Sequence, residues 1–255
     1  MSSNGSTAGP LGPHRTLHGR VVEWLGRRIV SGELACGARL PNEEELAAEL
    51  NVSRGGVREA VKALAAKGLV EARPRLGTRV LPRDAWNLMD REVISWHGPD
   101  GTFLADLLEL RLMVEPGAAR LAAERATDDQ LAALDAAYAR MAAEAGRVPG
   151  DVAAFVEADL SFHLTLLRAA GNQLVEHLGR LLEAGLHHGM VATSHAPGGV
   201  AATLPLHQAV LGAVRARRPA AAARAMQRLL DTTTETVREM TTSDAPASGV
   251  DGQAR

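Results

Sequence analysis

The stretch Leu40–Arg83, LPNEEELAAELNVSRGGVREAVKALAAKGLVEARPRLGTRVLPR, decides how the rest of the chain is read. Asn42 stands where a helix N-cap is wanted, and Leu46, Ala47 and Leu50 follow at helical spacing. Asn51-Val52-Ser53 interrupts that helix, and Ser53 can cap a second one. In the second helix Val57, Ala60, Val61 and Leu64 form one apolar stripe, with Arg54, Arg58 and Lys62 recurring every four residues beside it. Gly68 supplies a stop. Leu69–Ala72 and Thr78–Leu81 then read as two strands joined across Arg73-Pro74-Arg75-Leu76-Gly77. Two short helices, a turn and a basic hairpin suit an object that sets one helix in the major groove of DNA, the second helix being the reader.

Charge points the same way. Residues 53–83 hold eight Arg or Lys against Glu59 and Glu71, a local net of +6 in a chain whose formal net charge is −2. Phosphate binding by counterion release needs positive charge concentrated like this. A charge run alone is most often a solvated face. Here it coincides with caps, an apolar stripe and a hairpin.

At these residues the sequence resembles the winged helix-turn-helix of GntR-type bacterial regulators. The matching words are Leu40-Pro41-x-Glu43-x-x-Leu46-Ala47, Val52-Ser53-Arg54-x-x-Val57-Arg58-Glu59-Ala60, Leu64-x-x-x-Gly68-Leu69-Val70 and Gly77-Thr78-x-Val80. The resemblance implies DNA contacts from Ser53, Arg54, Gly55, Arg58 and Lys62 on the reading helix, and from Arg75, Gly77 and Thr78 at the wing near the minor groove. Gly55-Gly56 stand where the family usually has bulkier residues, at roughly 1 kcal/mol of helix stability each relative to Ala. Glu44 occupies a place where some relatives carry a basic contact residue.

At 255 residues the chain has length for two domains, and 46% hydrophobic with 3% aromatic residues means that Ala and Leu must build the core. The expected organisation is a disordered tail over 1–14, a winged helix-turn-helix over 15–81, a linker over 82–101, an all-helical domain over 102–241 and a second tail over 242–255. Residues 15–83 carry thirteen basic and eight acidic groups, and residues 84–255 carry fifteen and twenty-two. One half should meet nucleic acid and the other should not. A single cysteine, Cys36, excludes an internal disulfide and fits a reducing cytoplasm. No apolar run approaches the roughly 20 residues that span a bilayer, so no membrane partner is expected.

Thr16–Ser31 reads as an amphipathic helix ended by Gly32. In the linker, Trp86 and Trp96 should pin that segment onto one of the domains. Beyond it the pattern is helical: Thr102–Arg125, a capping box at Thr127–Gln130 opening a helix to Ala145, one from Pro149 to Gly171, then about 173–194, 200–217 and 219–240. With no strand signal, this is an antiparallel bundle of about six helices, and the fold class is mainly α with a small β-hairpin wing.

Asp159 and His163 lie four apart and share an inward face with Phe155, Phe162 and Leu166. A mutually satisfied pair is one account of burying both; metal binding is the other. His207, on a later apolar helix, supplies a third potential ligand of a kind that suits zinc, nickel or manganese. Here a second resemblance enters. Arg111-x-x-x-Glu115, Ala158-Asp159-x-x-Phe162-His163, Ala169-Ala170-Gly171-Asn172 and His207-Gln208-Ala209-Val210 are similar to the all-helical FCD ligand domain of FadR-like GntR regulators. It implies a divalent ion, zinc foremost, held by Asp159, His163 and His207, with a fourth ligand position falling on Leu229, which cannot coordinate.

Three protein ligands with vacancies suit a small carboxylate effector, with Arg111 placed for its charge and Thr203 for a hydroxyl; Arg111 could equally pair with Glu115 or Glu109. His187, His188 and His195 read as surface residues. The words Trp86-Asn87-x-x-Asp90 and Trp96 resemble those of members answering to sugar acids such as galactonate or gluconate. The expectation is a homodimeric repressor, not an enzyme, on a palindromic operator and released by a small acid at the metal. The rival reading is a metal-dependent hydrolase or lyase using the same three ligands, for which no H-E-x-x-H or nucleophile motif speaks. A non-specific architectural DNA protein would explain the basic stretch but not the acidic helical half.

Overall fold

The computed structural model describes residues 17–73, 76–97, 101–146, 151–194 and 199–243. Contacts divide the chain into two compact units, residues 1–98 and 99–255.

In the first unit, α1 (Leu17–Val30) buries Val21, Val22, Leu25 and Ile29. A capping box starts α2 (Glu43–Leu50): Asn42 accepts from the Glu44 and Glu45 amides, and Glu45 accepts from the Asn42 N–H. Asn51, at φ 52°, ends it, a left-handed conformation that asparagine tolerates better than most residues. α3 (Arg54–Ala66) packs Val57, Ala60, Val61 and Leu64 inward.

The wing is β1 (Val70–Arg73) paired antiparallel with β2 (Gly77–Val80), in register from Val70↔Val80 to Arg73↔Gly77. The pairing thus runs one residue further toward the turn than the apolar pattern suggests, because Arg73 and Gly77 also pair. Arg39 bridges to Arg79 on the far side of β2.

The segment expected as a linker folds over much of its length. A turn at Arg83–Ala85 leads to Trp86, and α4 (Arg91–Trp96) follows, capped by the Asp90 carboxylate. Trp86, Val93 and Trp96 belong to the core of the first unit. Trp96 lies so flat on α1 that a Cβ at Gly26 would sit 2.5 Å from its ring; only glycine lets indole and helix approach this closely. Lys67, at the end of α3, binds Asp90 (2.7 Å) and Glu92 (2.9 Å), tying α3 to α4.

The second unit is helical throughout its described residues: α5 (Gly101–Arg125), α6 (Asp128–Ala145), α7 (Val152–Ala169), α8 (Gln173–Ser194), α9 (Gly199–Arg215) and α10 (Pro219–Ser243). The Thr127–Gln130 capping box starts α6. Asp151 rather than Pro149 starts α7, its carboxylate accepting from the Ala154 amide at 3.1 Å. Pro149 and the tail over 1–14 lie outside the described residues, as does the chain beyond Ser243.

Small alanines (Ala119, Ala122, Ala123, Ala222, Ala225) interleave with Leu134, Met141, Phe155, Phe162, Leu166, Met226 and Leu230 in one core. This is how a core nearly without aromatics closes: short side chains bring helix axes together, and a few large ones fill what remains. Among the described residues no helix is long and apolar enough to cross a membrane.

Candidate functional site

Two places carry the residues singled out by sequence. On the first unit, Ser53 is the N-cap of α3, its hydroxyl accepting from the Gly56 amide at 3.1 Å. Arg54, Arg58 and Lys62 project from α3 with 58, 60 and 66% of their side chains exposed. Gly55 adds no side chain among them. Gly77 and Thr78 open β2 at the wing's turn, and Arg75 lies outside the described residues.

What the count over residues 53–83 left out is Glu43 and Glu44, which α2 brings against this face. Glu43 grips Arg58 through two hydrogen bonds, 3.1 Å to Nε and 2.8 Å to Nη2. Glu44 pairs with Arg54, and Glu59 with Lys62 at 2.8 Å. Over residues 40–83 eight basic groups face six acidic ones. The cationic ridge is therefore largely counterbalanced.

The second place is buried. Asp159 and His163 on α7 and His207 on α9 are 8, 1 and 1% exposed. His163 Nε2 and His207 Nε2 stand 3.3 Å apart, and Asp159 Oδ1 lies 2.9 Å from the second and 3.3 Å from the first. Each ring is held from behind. His207 Nδ1 is 2.9 Å from the Thr203 carbonyl, which can only accept, so that nitrogen carries the proton. His163 Nδ1 is 2.6 Å from Glu115 Oε2.

Both rings therefore aim Nε2 at one point beside a carboxylate oxygen that has no hydrogen bond of good geometry. Bare, these atoms would repel. A tetrahedral ion with bonds of about 2.0–2.2 Å separates its donors by roughly 3.3–3.6 Å, and an octahedral one by about 3 Å. The donor triangle fits a divalent ion of either geometry. Among the described residues this is the group of His, Cys, Asp or Glu with such convergence.

Glu115, on α5, was foreseen as one of two partners open to Arg111 but not as the support behind His163. It is 2% exposed and shared between His163 and Arg111, whose Nε lies 2.7 Å away. Arg111 is thus bound to Glu115, with its Nη2 3.2 and 3.3 Å from the two ring nitrogens of His163, while still lining the cavity over the donor triangle. Phe162 meets both imidazoles edge-on, closing the apolar side. The rest of the lining is hydroxyl-rich: Thr193 and Ser194 of α8, Thr203 of α9, and Thr233 and Thr236 of α10. Leu229 lines it too, where the resemblance places a fourth ligand. The void is small, on the scale of a water molecule or an ion. His187 is exposed, and the side chains of His188 and His195 lie outside the described residues.

Burial alone would raise both carboxylates and lower the imidazole, but the cluster overrides it. Arg111 and His163 bring Glu115 down to about 2, and the two imidazoles hold Asp159 well below the usual carboxylate range. Against burial and the charge of Arg111, the carboxylates of Glu115 and Asp159 push His163 up to about 9. Since His163 is raised, its contribution to stability is full below about pH 6.5 and is lost as pH rises through about 9. That of Glu115, which is lowered, is full above about pH 4.5 and is lost as pH falls toward 2. Chemical denaturation of ion-free protein across pH is expected to show its stability maximum between those limits, near pH 4.5–6.5.

Comparison with known proteins agrees with this two-part layout. Residues 17–80 match the family model "Bacterial regulatory proteins, gntR family", and residues 106–232 match "FCD domain". The chain is 34% identical to the uncharacterized HTH-type transcriptional regulator YieP of Escherichia coli, over 88% of this chain and 96% of that protein. It is 33% identical to the galactonate operon transcriptional repressor of Escherichia coli, over 87% of this chain and 97% of that one. The solved structure of Lar, which controls expression of the Listeria monocytogenes agr system, aligns with a TM-score of 0.63 at 20% identity, over 90% of this chain and 100% of that one, and shares the fold. The relatives are named as regulators of transcription, not as enzymes. The chain belongs to the GntR family of bacterial DNA-binding transcriptional regulators, in its FadR-like branch with an FCD domain.

Proposed function

We propose that this regulator represses transcription from a palindromic operator as a homodimer and lets go when a small sugar-acid carboxylate reaches a divalent ion held by Asp159, His163 and His207. The observation that carries the reading is the two Nε2 atoms, on rings fixed from behind, converging on one point with a carboxylate oxygen. Such pre-oriented donors are the mark of a metal site with its outer supports in place. Zinc suits the ligand set best, with nickel and manganese as alternatives.

Charge supports the choice of effector. With an ion bound and both imidazoles neutral, Arg111, Glu115, Asp159 and the ion leave the buried cluster at +1. One carboxylate brings it to neutrality, whereas a dicarboxylate overshoots. The hydroxyl lining from Thr193, Ser194, Thr203, Thr233 and Thr236 suits a polyhydroxy acid, and the likeness to a galactonate operon repressor supports the same class. The small void means that an effector must displace water and spread the helices around it. A ligand that prefers the spread form shifts the population toward it, and this is how binding would be transmitted.

On the DNA side, a two-fold dimer offers two copies of α3 to two half-sites, with Ser53, Arg54, Gly55, Arg58 and Lys62 facing the major groove and Arg75, Gly77 and Thr78 at the wing. Arg58→Ala should weaken operator binding by about 1–3 kcal/mol if the arginine reads a base, as measured by fluorescence anisotropy. Unchanged affinity would remove Arg58 from the interface. The whole reading is tested by titrating galactonate, gluconate, lactate and dicarboxylates into zinc-loaded protein bound to its own upstream DNA. Release by a monocarboxylate sugar acid, lost on chelation, is expected. No release by any acid would reject the effector assignment.

A further inference from the structure

The first turn of α2 carries three consecutive acids with three different occupations. Glu45 closes the capping box at the Asn42 N–H (2.8 Å), Glu43 holds Arg58, and Glu44 holds Arg54. The Glu44–Arg54 pair is open to solvent, with 74 and 58% of the two side chains exposed. An exposed pair of this kind adds little to folding, so stability does not explain it.

Its effect falls on an approaching polyanion. An arginine that already holds a carboxylate releases no counterion until the pair opens, and the carboxylate repels phosphate. A base edge differs from a phosphate. Guanine offers two acceptors to the same guanidinium fork, so a matching site can replace the single carboxylate contact with a bidentate partner. Arg54 has room to make that exchange, because 58% of its side chain is exposed to solvent.

We propose that Glu44 is a specificity-determining residue of the DNA interface: it masks Arg54 against indiscriminate phosphate contact and yields it to a matching base edge. The assignment rests on the reading that α3 meets DNA. It accounts for an acid on the very face where binding to arbitrary duplex would favour a base, by the logic of building repulsion against wrong partners.

The test is Glu44→Gln in the full chain, with anisotropy on the upstream fragment and on a scrambled duplex of equal length across a KCl series. The scrambled duplex should bind about 5- to 10-fold more tightly at low salt. The slope of log affinity against log salt should steepen by about 0.9, as for one added phosphate contact. The upstream fragment should gain less, so discrimination falls. Glu49→Gln removes the same charge from the last turn of α2 and should change neither quantity. An equal rise with Glu49→Gln would reduce the effect to net charge and overturn the proposal. So would unchanged binding with Glu44→Gln while Arg54→Gln weakens both complexes. If Arg54→Gln also changes nothing, the placement of α3 on DNA fails, and this assignment falls with it.

Discussion

Replacing His163 with Ala is expected to empty the ion site while leaving operator binding in place. The ring supplies one of three donors, and through it Glu115 reaches the donor triangle. Altering a residue that merely orients a ligand costs 10–100-fold in metal affinity, so loss of a ligand should exceed about 100-fold. Metal analysis after dialysis should fall from one zinc per chain toward zero, and the sugar-acid response should vanish with it. The change also leaves Glu115 and Asp159 buried with fewer partners, at about 3–5 kcal/mol. Glu115→Gln is therefore the companion variant, because it keeps shape and removes the charge behind His163. It should weaken zinc binding by about 10–100-fold with the fold retained. Full zinc occupancy in both variants would refute the site.

The second large effect belongs to the other unit. Gly68→Ala should unfold the winged helix-turn-helix and abolish DNA binding without touching zinc uptake. Gly68 sits at φ 73°, and a Cβ there would lie 2.1 Å from the Ala85 carbonyl oxygen. The left-handed backbone alone costs about 1 kcal/mol for a residue with a Cβ. The overlap is with backbone, so the segment carrying Trp86 would have to move. That breaks the bonds from Asn87 N–H to the Lys67 carbonyl and from Leu81 N–H to the Leu69 carbonyl, both 2.9 Å. A total loss of about 3 kcal/mol or more follows, a large share of a small domain's stability. Thermal unfolding should show a low-temperature transition absent from the parent, alongside normal zinc content. A single unchanged transition would mean that the Ala85 segment yields more easily than its hydrogen bonds imply.

Together these two variants separate the halves of the molecule, and each half was legible to a different degree. Helices and their ends were readable because their causes are local. Asn42 with Glu45, and Thr127 with Gln130, cap within three residues, so spacing alone reveals them. The stripe on α3 and the inward pair Asp159–His163 are likewise one helical turn apart. His207 entered through its apolar surroundings and through resemblance, since nothing in spacing ties it to a residue 44 positions earlier.

Packing decided the rest. The sequence by itself determined which segments are helical, which faces are apolar, and that the basic residues cluster in one stretch, because those properties depend on neighbours within a turn or two. Only the tertiary structure placed Glu115 behind His163, 48 positions away; its pairing with Arg111, one helical turn off, was within reach of the sequence. Only it set Glu43 against Arg58 across 15 positions, converting an apparently bare cationic helix into a counterbalanced one. Electrostatic partners act through space at a few ångströms, and a chain brings distant residues that close only by burying its apolar faces against one another.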